Sequence, residues 1–176
     1  MATSDRAPQI ATEDMMIKLS IPGFGPLEIR RVVTDYTGTH SFKGAVRKPV
    51  RARLARLAKL VEVHVLTVDT FGTARRELGR LPVSLHVLGG GGRHDKEKQR
   101  FVLRHDPKHV AAFGNGTIDR LLLKTVRDAG GLAVAVDNGE GCAVDAVLSS
   151  NILVYGSEQA LDLLLDPNCC KATLRF

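Results

Sequence analysis

The sequence predicts an α/β protein: a three-layer α/β/α, Rossmann-like arrangement on a mostly parallel sheet, entered through an N-terminal β-hairpin. Three observations predict it. Short apolar runs recur along the chain, each bounded by Gly, Pro, Asn, Asp or Ser. Segments with helical spacing of apolar residues lie between them. Strands that are apolar throughout need cover on both faces, which parallel sheets receive from their crossover helices.

Ile17, Leu19 and Ile21 alternate with polar residues, the period of a half-exposed strand. Pro22-Gly23-Phe24-Gly25-Pro26 is dense turn chemistry, and Leu27 and Ile29 resume the alternation, so a hairpin is expected. Arg31-Val32-Val33-Thr34 reads as a short buried strand running into Asp35. Pro49 suits the first turn of a helix whose apolar stripe is Val50, Leu54, Leu57 and Val61. Further strands are predicted at Val63 to Leu66, Val83 to Leu88, Val110 to Phe113, Leu132 to Val136 and Ile152 to Val154. Helices are predicted at Thr73 to Leu78, Asp95 to Arg104, Ile118 to Arg127, Gly141 to Leu148 and Glu158 to Leu165. The strands VEVHVL and VSLHVL look alike, but neighbouring parallel strands draw on the same few residue types, so no duplication is read into them.

The 176 residues suit one domain, 15–176, after a polar, aperiodic stretch, 1–14, read as a disordered tail. No apolar run approaches the ~20 residues of a membrane span, and acids and Arg6 interrupt the N-terminal segment where a signal peptide would be apolar. Cys142, Cys169 and Cys170 are odd in number and lack metal-ligand spacing, which argues against a disulfide framework or a zinc site and for a reducing, cytoplasmic setting. The net charge of +6 invites a nucleic-acid reading. The basic run Lys43, Arg47, Lys48, Arg51, Arg53, Arg56 and Lys59 has no aromatics interleaved for base stacking, so a solvated helix face, or a surface drawing in phosphate-bearing substrates, is preferred.

In open parallel sheets ligands bind beyond the carboxyl ends of the strands. Polar residues stand at several of those ends: Asp35-Tyr36-Thr37-Gly38-Thr39, then Thr67, Asp69 and Thr70, then Gly114-Asn115-Gly116-Thr117-Ile118-Asp119, with Lys96 and Lys98 in the basic segment between the last two. A carboxylate nucleophile, hydroxyls, a lysine and a second carboxylate on one rim are the parts that phosphoryl transfer needs.

Asp35-Tyr36-Thr37-Gly38-Thr39 resembles the DKTGT signature of P-type ATPases, itself a variant of the DxDGT motif of haloacid dehalogenase-like phosphatases. Thr67 matches the strand-end Ser/Thr of the second motif, Lys98 (or Lys96) the phosphate-binding lysine, and Gly114 to Asp119 resembles GDGxND. The likeness runs from about Ile17 to Phe176 and is nearest to the small soluble proteins likened to an isolated P-type ATPase phosphorylation domain. It implies the haloacid dehalogenase-like fold and a Mg²⁺-dependent phosphohydrolase working through an aspartyl-phosphate on Asp35. By the same resemblance Asp35, the Thr37 carbonyl, Asn115 and Asp119 would hold or support Mg²⁺. The Thr37 and Thr67 hydroxyls would contact the phosphoryl group, and Lys98 would balance its charge.

The sequence departs from that pattern at three places. Thr37 stands where most phosphatases of the superfamily carry a general acid/base Asp, help typically worth 10²–10⁴ in rate. Asn115 replaces the first Asp of GDGxND, removing a charge from the metal site, and Ile118 replaces its Asn. The stretch between Thr39 and Pro49 is too short for a large cap domain, so an oligomer partner or a large phosphorylated substrate is expected to cover the site. Asp69 reads as a helix cap, Gly89 to Gly92 as a connector, and His64 and His86 as neighbours across the sheet without a metal. Two readings stay open beside the phosphatase: a catalytically weakened regulatory or binding protein of the same fold, and a nucleic-acid-binding basic protein.

Overall fold

The structure, a computed structural model, describes residues 15–176; the expected tail, 1–14, lies outside them. Strand β1 (Ile17–Ile21) pairs antiparallel with β2 (Gly25–Ile29), with Ile17 opposite Ile29. Alternate residues Ile17, Leu19, Ile21, Leu27 and Ile29 are buried, so one face of the hairpin packs on the core.

The chain then builds a six-stranded sheet from β3 (Arg31–Thr34), β4 (Glu62–Thr67), β5 (Ser84–Val87), β6 (Val110–Gly114), β7 (Leu132–Asp137) and β8 (Ile152–Tyr155). Their order is β5-β4-β3-β6-β7-β8, and every adjacent pair is parallel. From β3 the chain moves outward through β4 and β5, then returns to place β6 on the other flank of β3. That reversal opens a crevice at the carboxyl ends of β3 and β6, where ligands sit in sheets of this kind.

Helices α1 (Lys48–Leu57), α2 (Ala74–Leu78), α6 (Ser157–Leu165) and α7 (Pro167–Leu174) cover one face together with the hairpin, and α3 (His94–Leu103), α4 (Arg120–Asp128) and α5 (Val144–Leu148) cover the other. Successive strand residues alternate between the two cores. Val32, Ala111, Phe113, Leu132 and Val134 face the first, and Val33, Val110, Ala112 and Ala133 face the second. Among the described residues no helix is long and apolar enough to cross a membrane.

Boundaries differ from the sequence reading for identifiable reasons. Val61 lies past the end of α1, buried on the approach to β4 rather than on a fourth helical turn. The helix expected from Ile118 begins as a 3₁₀ turn, Thr117–Asp119, and becomes α-helical at Arg120. The one expected from Gly141 starts only at Val144, because Gly141 (φ +103°) and the extended Ala143 precede it. Helix α7 was not anticipated. Its apolar periodicity is weak, although Asp166, which accepts from the Asn168 amide at 3.1 Å, and Pro167 in the first turn are start signals.

The basic run is reorganised by partners from elsewhere. Arg51 pairs with Glu77 of α2 at 2.6 Å, Arg53 with Asp162 of α6 at 2.8 Å, and Arg47 with Glu158 at 2.6 Å. While Val50, Leu54 and Leu57 bury the inner face of α1, these arginines tie its flanks to two neighbouring helices.

Candidate active site

Asp35 follows β3 directly, and its amide donates to the Phe113 carbonyl of β6 at 2.9 Å, which fixes the carboxylate over the crevice. The loop after it is wound around one acceptor: the Tyr36 carbonyl receives the amides of Thr39, His40 and Ser41. The buried Tyr36 ring points away from the crevice, its hydroxyl donating to the Gly44 carbonyl at 2.9 Å and lying 3.0 Å from the Thr73 hydroxyl. Gly38 is required at its position. Its φ is +75°, and a Cβ there would lie 2.3 Å from Nδ2 of Asn115. The Asp35 loop and the Asn115 loop therefore pack backbone to side chain. The Thr39 hydroxyl donates to Asn115 Oδ1 at 3.1 Å, and Asn115 Nδ2 reaches the Gly141 carbonyl at 3.3 Å.

Lys98 of α3 is fully buried and lies between two carboxylates, 2.6 Å from Asp35 Oδ1 and 2.6 Å from Asp119 Oδ1. Lys96, two residues earlier, is exposed, so Lys98 is the lysine at Asp35. The other oxygen of Asp119, Oδ2, accepts the amides of Asn115 (3.1 Å) and Gly116 (2.9 Å), so both oxygens of this carboxylate organise the loop and the lysine. Gly114 makes room for it: a Cβ there would stand 2.5 Å from that of Asp119.

The charges are unbalanced in a dry place, two carboxylates against one ammonium. Burial pushes the Asp35 carboxyl above the usual carboxylate range, the Lys98 ammonium pulls it back down, and the Asp119 charge adds to the rise. Burial alone would lower Lys98, but the two carboxylates outweigh it and hold the ammonium above its ordinary value. Removing the ammonium from between two buried carboxylates is expensive, so Lys98 is a fixed part of the fold as well as of the site.

Beside the triad lies a pocket of about 170 Å³ lined by Asp35, Thr37, Thr67, Asn115 and Asp119, with Thr70, Gly116 and Ile118. Thr67 ends β4; its hydroxyl accepts the Asp69 amide at 2.9 Å, which leaves its hydrogen to donate. The Thr37 hydroxyl is buried with no hydrogen-bond partner. All the residues singled out at the strand ends (Asp35, Thr37, Thr67, Lys98, Asn115 and Asp119) thus meet at one rim. Sequence reading overlooked Gly38 and Tyr36, which shape the loop; an aromatic between a strand end and a glycine turn, in a chain with few aromatics, was the available signal. Asp69 is a cap, its Oδ1 accepting the Thr73 and Ala74 amides at 2.9 and 3.1 Å. His64 and His86 are neighbours, with ring nitrogens 3.3 Å apart.

The donors around the pocket are oxygens: the Asp35 carboxylate, Thr37 and the Asn115 amide, with Asp119 behind them. That chemistry suits a hard cation such as Mg²⁺, which takes one or two carboxylates and keeps several waters. The fit is lean in charge, because no cluster of three His, Cys, Asp or Glu side chains suited to a metal lies among the described residues.

No protein-family model matches the chain. Solved structures similar to it include a putative haloacid dehalogenase (HAD) superfamily (subfamily III A) hydrolase from Legionella pneumophila, with TM-score 0.63, 16% identity, and coverage of 83% of this chain and 87% of that one. The cobalt-bound deoxy-D-mannose-octulosonate 8-phosphate phosphatase of Haemophilus influenzae aligns with TM-score 0.59 and 15% identity over 84% of this chain and 94% of that one. The corresponding phosphatase of Moraxella catarrhalis, solved with magnesium, phosphate and KDO, gives 0.59 and 18% over 78% and 86%. At these identities the likeness shows the fold, which is that of the HAD hydrolases. In sequence, the uncharacterized protein MJ0073 of Methanocaldococcus jannaschii is 44% identical over 68 residues, 39% of this chain and 69% of that protein. With that identity over more than two thirds of the archaeal protein, the chain belongs to the family of MJ0073.

Proposed function

We propose that the protein is a Mg²⁺-dependent phosphohydrolase acting through an aspartyl-phosphate on Asp35, of the small soluble group that resembles the P-type ATPase phosphorylation domain. The observation that carries this reading is the placement of Lys98 Nζ 2.6 Å from Asp35 at the sheet's switch point, beside a pocket of about 170 Å³ that Thr37 and Thr67 help to line. Such a pocket is smaller than the ~300–1,000 Å³ of ligand sites and suits a phosphoryl group whose leaving group stays outside. Phosphatase neighbours of the same fold, one of them with magnesium and phosphate, add support.

Lys98 holds Oδ1 of Asp35, so attack on phosphorus falls to Oδ2. The bond from phosphorus to the leaving oxygen breaks as the Asp35–phosphorus bond forms, and water then cleaves the acyl phosphate, releasing inorganic phosphate and restoring Asp35. The Thr67 and Thr37 hydroxyls donate to phosphoryl oxygens, and Lys98 offsets their charge. Asp35, the Thr37 carbonyl and Asn115, with Asp119 behind them, would hold Mg²⁺, which would supply charge neutralisation at the phosphoryl group. Thr37 cannot serve as a carboxylic acid to the leaving group, so good leaving groups are favoured and the phosphoenzyme is long-lived. With no large cap expected, a bulky phosphorylated substrate or a second copy of the chain covers the site. The reading places the protein in the cytoplasm, in keeping with its free cysteines.

One observation favours a second reading, a fold-retaining binding protein. Both polar atoms of the Asn115 side chain and both oxygens of Asp119 are engaged within the protein, which leaves Asp35 as the main carboxylate for a cation. Hydrolysis of p-nitrophenyl phosphate with and without Mg²⁺, in wild type and Asp35→Asn, separates the two. The phosphatase reading expects metal-dependent turnover that is lost in the variant. Absence of turnover together with absence of Asp35-dependent Mg²⁺ binding would favour the second.

A further inference from the structure

A cavity of about 260 Å³ lies between the ends of β4 and β5 and one flank of α3. Leu66, Leu88 and Phe101 give it an apolar lining, and His86 stands beside them. It borders the first pocket but shares no lining residue with it. Leu66 precedes Thr67, and the Leu88 amide donates to the Thr67 carbonyl at 2.8 Å. By the ~4.8 Å spacing of strands, the end of β5 stands roughly 10 Å along the rim from Asp35.

Three observations point to an occupant. The first is charge. Arg100 and Arg104 stand one turn apart on α3 and both line the cavity, yet neither guanidinium has a hydrogen-bond or ion-pair partner among the described residues. On α1, by contrast, Arg47, Arg51 and Arg53 each hold an acid. Like charges one turn apart on a helix repel. Glu97, the acid in the lining, lies 4.0 Å from His94 rather than beside either arginine. The second is the aromatic wall. The Phe101 ring packs against those of His64, His86 and His105, with centroids 5.3, 5.0 and 4.5 Å apart. Burial lowers all three imidazole pKa values, so at neutral pH this wall is uncharged. The third is the connector from Leu88 to α3, Gly89 to Gly92, of which only Gly92 (φ +75°) has a backbone that calls for glycine. A Cβ on Gly89 or Gly90 would meet nothing within 4 Å, and one on Gly91 only Glu97 Oε1, at 4.0 Å. The fold does not require these three glycines, and glycine is the residue that lets a backbone approach a ligand closely.

We propose that this cavity binds a small acid with an apolar, ring-sized body. The body lies on Leu66, Leu88 and Phe101, the carboxylate or phosphate head meets Arg100 and Arg104, and Gly89 to Gly92 close over it. A cavity of about 150 Å³ is enough for benzene, so about 260 Å³ holds one ring and its acid group. The guanidinium fork matches either head with two parallel hydrogen bonds. The inference does not depend on the phosphatase reading, because none of its residues acts on Asp35.

The test is an NMR titration of the full chain with benzoate and, separately, phenylphosphonate, without divalent metal, following the glycine amides of 89–92 and the His86 ring. The expected result is a saturable shift, weakened roughly tenfold or more in Arg100→Ala/Arg104→Ala and for inorganic phosphate, which has no apolar body. Whichever acid binds more tightly names the head group recognised. Gly89→Ala/Gly90→Ala is expected to weaken binding too, and binding like that of the wild type would overturn the part given to the loop. No saturable shift with either acid would overturn the proposal. So would shifts centred on Asp35 and Thr67 that the arginine variant leaves intact, because they would place the acid in the first pocket. Both arginines are exposed and a Cβ at Gly89 or Gly90 stands in open space, so these replacements do not threaten the fold.

Discussion

At the scale of single residues, Lys98 decides most. Among the described residues it is the one cation buried between two carboxylates, and Lys98→Met leaves Asp35 and Asp119 facing each other without it. Urea unfolding is expected to show a loss of about 3–5 kcal/mol. Asp35→Asn acts in the opposite direction: it removes the excess buried negative charge while Lys98 keeps Asp119. Its thermal midpoint is expected to rise by ~2–4 °C, the equivalent of about 1 kcal/mol in a protein of this size, even though the nucleophile is gone. A fall in midpoint would contradict the charge imbalance described here. The sequence left Lys96 and Lys98 open; the structure turns Lys98 inward, one helical turn before the buried Val102. The engagement of both Asp119 oxygens was not legible. It depends on how the Asn115 loop folds back, and no local pattern encodes that.

At the scale of elements, the apolar runs revealed the inner strands β3, β4, β6 and β7 because these are mostly buried, whereas the hairpin showed itself by alternation. Helix ends and α7 were harder, because caps and a weakly periodic sequence decided them. Helix α7 buries Cys170 and leaves its neighbour Cys169 exposed. A thiol reagent should therefore label Cys169 in the native protein and reach Cys170 only on unfolding, the Cys170 thiol being also pushed up to about 11 by burial. Equal labelling rates, read by mass, would mean that α7 does not pack as described. The basic run on α1 looked like a solvated face because its acids, Glu77, Glu158 and Asp162, are distant in sequence. Arg53→Ala should cost no more than about 1 kcal/mol in urea unfolding, since its side chain is partly exposed and screened.

For the whole molecule, the sheet order places its switch point between β3 and β6, and this is why residues far apart in sequence share one rim. The strand-end rule made that rim readable in advance. A cavity of about 250 Å³ past the ends of β7 and β8 was not legible, because it needs those ends beside the turn that carries His40. Burial also sets the response to acid. The folded pKa of His40, about 4, lies below its ordinary value of 6.5, so the unfolded chain takes up the proton first as pH falls. Its contribution is intact above pH 6.5 and is lost between 6.5 and about 4, roughly 3 kcal/mol for this group. Burial lowers His64, His86 and His105 too, and they act in the same direction. Asp35, raised by burial, acts oppositely, its contribution being greatest at low pH. Because Asp35, raised to about 7, gains stability over the same range, the test is a difference: from pH 7 to pH 5 the urea midpoint of the wild type should fall relative to that of His40→Gln, and parallel curves for the two proteins would contradict this.

The central claim, that Asp35 accepts a phosphoryl group, is tested most directly by trapping it. The protein is mixed with acetyl phosphate and Mg²⁺, quenched in acid within a single turnover, digested and mapped by mass spectrometry. The account predicts a hydroxylamine-labile phosphate on Asp35, absent from Asp35→Asn. Acetyl phosphate consumed with no label on Asp35, or with the label on another residue, would contradict it.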